Sequence, residues 1–190
     1  MTALLLFPGA GSAANHPSLV AIERAIAPNV CVRADFPYRL AGRRAPDRAP
    51  VLLDTVRRHA AGLTGVGPLV LGGRSMGGRV CSMAVGDADS PLPAAGLVLL
   101  SYPLHPPGKP DKLRTEHFPR LHVPCLFVSG TNDAFATPDE LTHATAAIPG
   151  DVTHCWLQRK GHDLKGCDEI IASTVAEWLS TLPSAQGATD

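Results

Sequence analysis

The chain has 190 residues, with 17 Lys or Arg balanced by 17 Asp or Glu, so the formal net charge is zero. That balance leaves no basic footprint for nucleic acid or an anionic membrane surface, and neither is expected as a partner. The length suits one domain, with a core large enough to be stable by itself.

The chain opens on Met1-Thr2-Ala3-Leu4-Leu5-Leu6-Phe7-Pro8. This apolar run carries no positively charged leader and is too short for a signal peptide or a membrane span. Ala3–Phe7 predicts a strand buried on both faces, followed by the loop Pro8-Gly9-Ala10-Gly11-Ser12. Pro17 suits a first helical turn, where a missing N–H costs nothing, so a helix is predicted over Pro17–Ala27, with His16 as a possible starting residue. A second strand is predicted over Val30–Ala34, closing at Asp35 with Tyr38 shortly after. Arg43, Arg44, Arg48, Arg57 and Arg58 read as a solvated basic face, and Pro50–Leu63 as a helix.

The strand Leu69–Leu71 runs into Gly72-Gly73-Arg74-Ser75-Met76-Gly77-Gly78. A serine two residues from a glycine on each side, after a buried strand, has the form of a nucleophile elbow. The chain must turn sharply there, which holds the serine in a strained conformation with its hydroxyl projecting. Met76–Val85 reads as the helix that such a turn needs.

Further strands are predicted at Gly96–Leu100, Cys125–Ser129 and Val152–Leu157, with helices at Pro138–Ala147 and Asp168–Leu182. Between Ser101 and Val123, Pro103, Pro106, Pro107, Pro110 and Pro119 rule out one continuous helix. This stretch is too short for a separate cap domain, and Tyr102 and His105 within it are candidates to meet substrate. Residues 1–182 are expected to form the domain, and Pro183–Asp190 a flexible tail. Alternating strands and helices predict an α/β fold of about six mostly parallel strands with helices on both faces. The five cysteines are widely spaced with no C-x-x-C, so a reduced, cytoplasmic protein without disulfides, metal or cofactor is expected.

A serine hydroxyl needs a base, and the base needs an orienting acid. Asp133 follows the strand Cys125–Ser129, and His162 follows Val152–Leu157, so both fall where strand ends gather. Asp139 and Asp163 are rivals for the acid; Asp163 adjoins His162, which makes the imidazole hydrogen bond awkward. A developing oxyanion needs N–H donors, assigned to Met76 and Ala10, with Gly9 and Gly11 clearing the approach. Asp35 and Tyr38 line the pocket in this reading or fix its loop. A rival reading takes Gly9-Ala10-Gly11-Ser12-Ala13-Ala14 as a dinucleotide-binding G-x-G-x-x-A, with Asp35 on the ribose. Pro17 would then break the helix that must start at the phosphates.

With these parts in place the sequence resembles the α/β-hydrolase superfamily, in particular its small dienelactone-hydrolase-like branch. That branch includes the hydrolase-like domain of a chromatin-complex regulatory subunit and a testis-expressed relative. The resemblance is carried by Pro8–Ser12 with Asn15-His16-Pro17, Asp35–Tyr38, Gly72–Arg79, Tyr102–Pro110, Gly130–Asp133 and Gly161–His162. It implies Ser75 as nucleophile, Asp133 as acid and His162 as base. It also implies a sheet that begins at the superfamily's third strand. Relatives usually have histidine before the first glycine of the oxyanion loop, where this chain has Pro8, and dienelactone hydrolases proper use cysteine as nucleophile. The implied activity is cleavage of a small-molecule carboxylic ester or thioester by a monomer or small homo-oligomer. The alternative is a hydrolase-like protein-interaction module, since fold alone does not confer activity.

Overall fold

Apolar residues fill the predicted strands almost without interruption because successive side chains feed two separate cores. In a computed structural model, which describes residues 1–183, the strands are β1 (Ala3–Phe7), β2 (Val30–Arg33), β3 (Leu69–Arg74), β4 (Gly96–Leu100), β5 (Cys125–Gly130) and β6 (Val152–Leu157). Along β1, Leu5 and Phe7 enter one core while Leu4 and Leu6 enter the other. The same alternation divides Leu97 and Leu99 from Val98 and Leu100, as the two-residue period of a strand requires.

All six strands are parallel, in the order β2-β1-β3-β4-β5-β6. The helices are α1 (Pro17–Ala25), α2 (Pro37–Leu40), α3 (Ala49–Ala61), α4 (Met76–Val85), α5 (Pro138–Thr145) and α6 (Asp168–Thr181). Side chains of α3, α4 and α5 fill the core on one face, and those of α1 and α6 fill the core on the other. The chain leaves β1 toward β2 and then crosses back to β3. The order therefore reverses between β1 and β3, the position where open α/β sheets form a crevice at their carboxyl ends.

The structure departs from the sequence reading at the ends of several elements. β3 runs on through Gly72 and Gly73 to Arg74, because bare glycine backbone lets β1 and β4 pair closely on either side. β2 stops at Arg33, and the one-turn helix α2 follows it. The proline-rich segment, read as a long loop without a cap, holds a short 3₁₀ turn, Phe118–Arg120, and packs Tyr102, Leu104, Phe118 and Leu121 into the core. Residues 184–190, within the expected tail, lie outside the described residues.

Two glycines set close approaches to the end of β1, Gly73 from β3 and Gly77 from α4. Gly73 has φ +152°, and a Cβ there would strike the Phe7 carbonyl. A Cβ on Gly77 would strike the same carbonyl, with that of Pro8 at 2.6 Å. Gly11, by contrast, has nothing within 4 Å of its ideal Cβ. Gly77→Ala should therefore cost about 2–3 kcal/mol of stability by overpacking. Gly11→Ala should stay within about 0.5 kcal/mol of the parent in the same urea denaturation.

Candidate active site

The register of the sheet delivers the site's parts. Phe7 pairs with Gly73, so the loop that begins at Pro8 lies beside Arg74 and Ser75. Gly130 pairs with Leu157, so the loops carrying Asp133 and His162 leave neighbouring strands at one level. Ser75 sits between β3 and α4 with φ 49° and ψ −116°, a conformation that costs on the order of 1–3 kcal/mol. Its N–H donates to the Leu100 carbonyl at 2.8 Å, and its own carbonyl accepts from Arg79 N–H at 3.0 Å.

Three side chains from distant parts of the chain meet there. Ser75 Oγ lies 2.8 Å from His162 Nε2, and His162 Nδ1 lies 2.8 and 3.1 Å from the two oxygens of Asp133. An ionised carboxylate only accepts, so Nδ1 carries the proton and donates to Asp133. Nε2 is then left to accept the Ser75 hydroxyl proton. The Asp133 side chain is 1% exposed and that of His162 23%, so the ring reaches solvent and the carboxylate does not. Asp133 Oδ1 also accepts the Phe135 N–H at 2.8 Å, the local turn that Asp favours after a strand. The Phe135 ring stacks on the imidazole at 4.0 Å. Asp163 instead accepts from the Lys165 N–H, and Asp139 lies in the exposed first turn of α5.

The loop after β1 supplies the facing wall. Gly9 lies within contact distance of Ser75, its ideal Cβ falling 3.5 Å from that of the serine. Ser12 donates to the Gly9 carbonyl twice, from its N–H at 3.1 Å and its hydroxyl at 3.3 Å. That carbonyl belongs to the same planar peptide as the Ala10 N–H, so Ser12 fixes where the N–H points. Neither the Ala10 nor the Met76 N–H donates to a protein acceptor among the described residues.

Four expected lining residues stand elsewhere. Tyr38 is buried and donates its hydroxyl to the Ala10 carbonyl at 2.9 Å, and Asp35 accepts the Ala14 N–H at 2.8 Å; both brace the loop from behind. Tyr102 is buried with its hydroxyl on the Arg114 carbonyl at 2.7 Å. His105 is buried between the Pro106 carbonyl and Glu140. These polar tips are consumed by protein partners, so none of them belongs to the cleft wall. The loop does not open a helix: α1 starts at Pro17 with His16 as its N-cap, so the geometry of a dinucleotide site is missing. The basic face is largely paired, Arg43 with Asp47, Arg57 with Asp87 and Arg58 with Asp54.

A brace that the sequence did not disclose is Arg74. Its guanidinium donates to the His162 carbonyl at 2.8 Å and to His16 Nε2 at 2.9 Å, tying the histidine loop to the start of α1. Guanidinium only donates, so His16 is neutral with its proton on Nδ1, toward Ser18 Oγ at 2.8 Å. Burial and then the Arg74 charge hold its pKa below the ordinary histidine value.

Over Ser75 opens a cleft of about 680 Å³. Gly9, Ala10 and Gly11 form one wall, Leu52 and Leu53 of α3 with Val80 and Met83 of α4 form an apolar one, and Arg79 and Arg114 are also exposed to it. Among the described residues no three His, Cys, Asp or Glu side chains come together as a metal site. No helix among them is long and apolar enough to cross a membrane.

Residues 1–181 match the family described as "Alpha/beta hydrolase domain", and the chain belongs to that family. Its fold is similar to that of Est1E from Butyrivibrio proteoclasticus with ferulic acid bound (TM-score 0.77, 15% identity, 96% of this chain and 89% of that one). It is also similar to a dienelactone hydrolase from Anabaena variabilis (0.73, 17%, 95% and 87%). A type II thioesterase from the borrelidin biosynthetic cluster matches at 0.70, with 19% identity over 95% of this chain and 92% of that one.

Behind the arginine side of the cleft, His117 is 5% exposed and meets Ser82 Oγ at 2.8 Å. Burial above all, then the charges of Arg79 and Arg120, push its pKa from 6.5 down to about 4. The unfolded chain takes up this proton near 6.5 and the folded chain only near 4. Between those values the unfolded state binds more protons, so stability falls as pH drops through the window. His117→Gln removes this linkage, and its stability loss between pH 7 and 4.5 should be smaller than the parent's by roughly 2–3 kcal/mol, measured by urea denaturation.

Proposed function

We propose that this α/β-hydrolase domain is a serine hydrolase that cleaves a carboxylic ester or thioester through an acyl-enzyme. The observation that carries the reading is the unbroken relay from Ser75 Oγ through His162 to Asp133, both links at 2.8 Å. Ser75 Oγ attacks the carbonyl carbon while His162 Nε2 takes its proton, and the carbonyl π-pair moves onto oxygen. The N–H groups of Ala10 and Met76 bind that oxyanion, which supplies stabilisation only as charge develops. The tetrahedral species collapses, the bond to the alcohol or thiol breaks, and the imidazolium returns the proton to the leaving group. Water then attacks the acyl-serine with His162 again as base, releasing the acid and restoring the hydroxyl. Asp133 stays ionised throughout and favours the charged ring.

The apolar wall of Leu52, Leu53, Val80 and Met83 suits a hydrocarbon part of the substrate. YPLHPPGKP beside GGRSMGGR supports placement in the dienelactone-hydrolase-like branch, and free cysteines suit a reducing, cytoplasmic setting. A fluorophosphonate should label Ser75 in the folded protein. Ser75→Ala should lower kcat on p-nitrophenyl butyrate by on the order of 10⁴-fold or more. Asp133→Asn should lower it by on the order of 10⁴-fold with KM little changed, because the ring then holds the wrong tautomer. Wild-type turnover by Ser75→Ala would sink the assignment, and folded protein that takes no label would favour an interaction module.

A further inference from the structure

Three arginines line the cleft, Arg74, Arg79 and Arg114, and the last two are unlike the first. Arg74 is engaged by His16 and the His162 carbonyl. No ion pair among the described residues includes Arg79 or Arg114. Arg79 Nε is buried with no hydrogen-bond partner, and the one side-chain contact of Arg114 is a long 3.4 Å approach to the Pro103 carbonyl. Both side chains are only half-exposed, and both line the cleft that holds Ser75.

Their mounting is firm although their tips are free. Arg79 sits on α4 with its N–H on the Ser75 carbonyl. The Arg114 backbone is clamped on both sides, its N–H on the Leu104 carbonyl at 2.9 Å and its carbonyl under the Tyr102 hydroxyl at 2.7 Å. Tyr102, expected from sequence to touch substrate, instead positions Arg114. The two cations are close enough to act on each other: after burial, the Arg79 charge is the next cause that depresses the Arg114 pKa. Two half-buried guanidinium groups at one wall, without a counterion, carry unspent donors and mutual repulsion, and an anion relieves both. Asp47, the one carboxylate lining the cleft among the described residues, pairs through Oδ1 with Arg43 at 2.7 Å and forms no ion pair with Arg79 or Arg114; its Oδ2 has no partner.

We propose that Arg79 and Arg114 form an anion-binding subsite, so that the substrate is an ester or thioester bearing a second, anionic oxygen group, a carboxylate or a phosphate. The reaction rests on the serine-hydrolase reading; the anion site rests on the two arginines alone. Arg79 stands one helical turn beyond Ser75, about 6 Å along the α4 axis. A chain of about four to six bonds between the carbonyl and the anionic group spans that axial separation.

Calorimetry on the wild-type chain with adipate, inorganic phosphate and neutral dimethyl adipate tests the site without turnover. Adipate or phosphate should bind and the diester should bind at least tenfold more weakly. Arg79→Met and Arg114→Met should each weaken the anion at least tenfold, and Arg79→Lys should restore part of the loss. Tighter adipate identifies a carboxylate substrate, and tighter phosphate a phosphorylated one. In a second arm, kcat/KM is measured for the mono-p-nitrophenyl ester of adipic acid and the p-nitrophenyl ester of 4-phosphonobutanoic acid, each relative to p-nitrophenyl hexanoate. One of the two ratios should exceed ten in the wild type and fall at least tenfold in either methionine variant. Anion binding lost in the variants, with no ester hydrolysed, upholds the subsite and removes the hydrolase reading. Hydrolysis with both ratios near one, or anion binding untouched by both methionine variants, overturns the subsite.

Discussion

Phe7 of β1 pairs with Gly73 of β3 in parallel register, and Gly77 brings the first turn of α4 onto the Phe7 carbonyl. Two chain segments some 65 residues apart are thereby locked at a separation that only bare backbone permits. Everything proposed for the oxyanion depends on this approach: one donor comes from the turn after β3 and the other from the loop after β1. The side chain of Ala10 is immaterial to that role. The orientation of its peptide is what matters, and Ser12 holds that peptide by its carbonyl.

The strained serine and the relay behind it are supported by groups that do not react. Asp133 is kept in place by the Phe135 N–H, His162 by the Phe135 ring and by Arg74 on its carbonyl, and Arg74 by His16 at the start of α1. A backbone conformation as costly as that of Ser75 persists only where its surroundings over-determine it. The N–H bond to Leu100 on one side and the α4 turn closed by Arg79 on the other provide that determination. The Ser75 hydroxyl meets the His162 imidazole and is the group proposed to react, an arrangement in keeping with preorganised catalysis.

The strands were legible because burial on both faces makes their sequences apolar throughout, as in Leu4-Leu5-Leu6-Phe7 and Gly96-Leu97-Val98-Leu99-Leu100. The ends were less so. Gly72 and Gly73 read as turn residues, since glycine is depleted in strands, and only the close pairing of neighbours explains them. Helix α2 is a single turn, too short to show a period. For the site, chain order and loop position after strands singled out Ser75, Asp133 and His162, the three residues that the fold brings together. Asp35, Tyr38, Tyr102 and His105 stood in the right loops, yet their polar atoms turn inward to protein partners, an orientation that no local pattern encodes. Arg74 with His16, a pair 58 residues apart, had no sequence signal at all.

The distribution of satisfied and unsatisfied polar groups then separates scaffold from recognition. Loop-bracing residues such as Tyr38, Asp35, Ser12 and Arg74 direct hydrogen bonds into the protein, and through these they contribute rigidity. Facing the cleft with capacity to spare are the Ala10 and Met76 N–H donors beside Ser75, the guanidinium groups of Arg79 on α4 and of Arg114 in the proline-rich segment, and one oxygen of Asp47. The N–H and guanidinium groups are donors, and they outnumber the single spare acceptor. A molecule that satisfied them would present negative oxygen at both points, transient at the carbonyl and permanent at the far end, with hydrocarbon between them against Val80 and Met83. Under the proposed anion site a neutral ester would meet only the first of these demands, leaving the two arginines unpaired, and discrimination against it would arise from that omission as much as from any new contact.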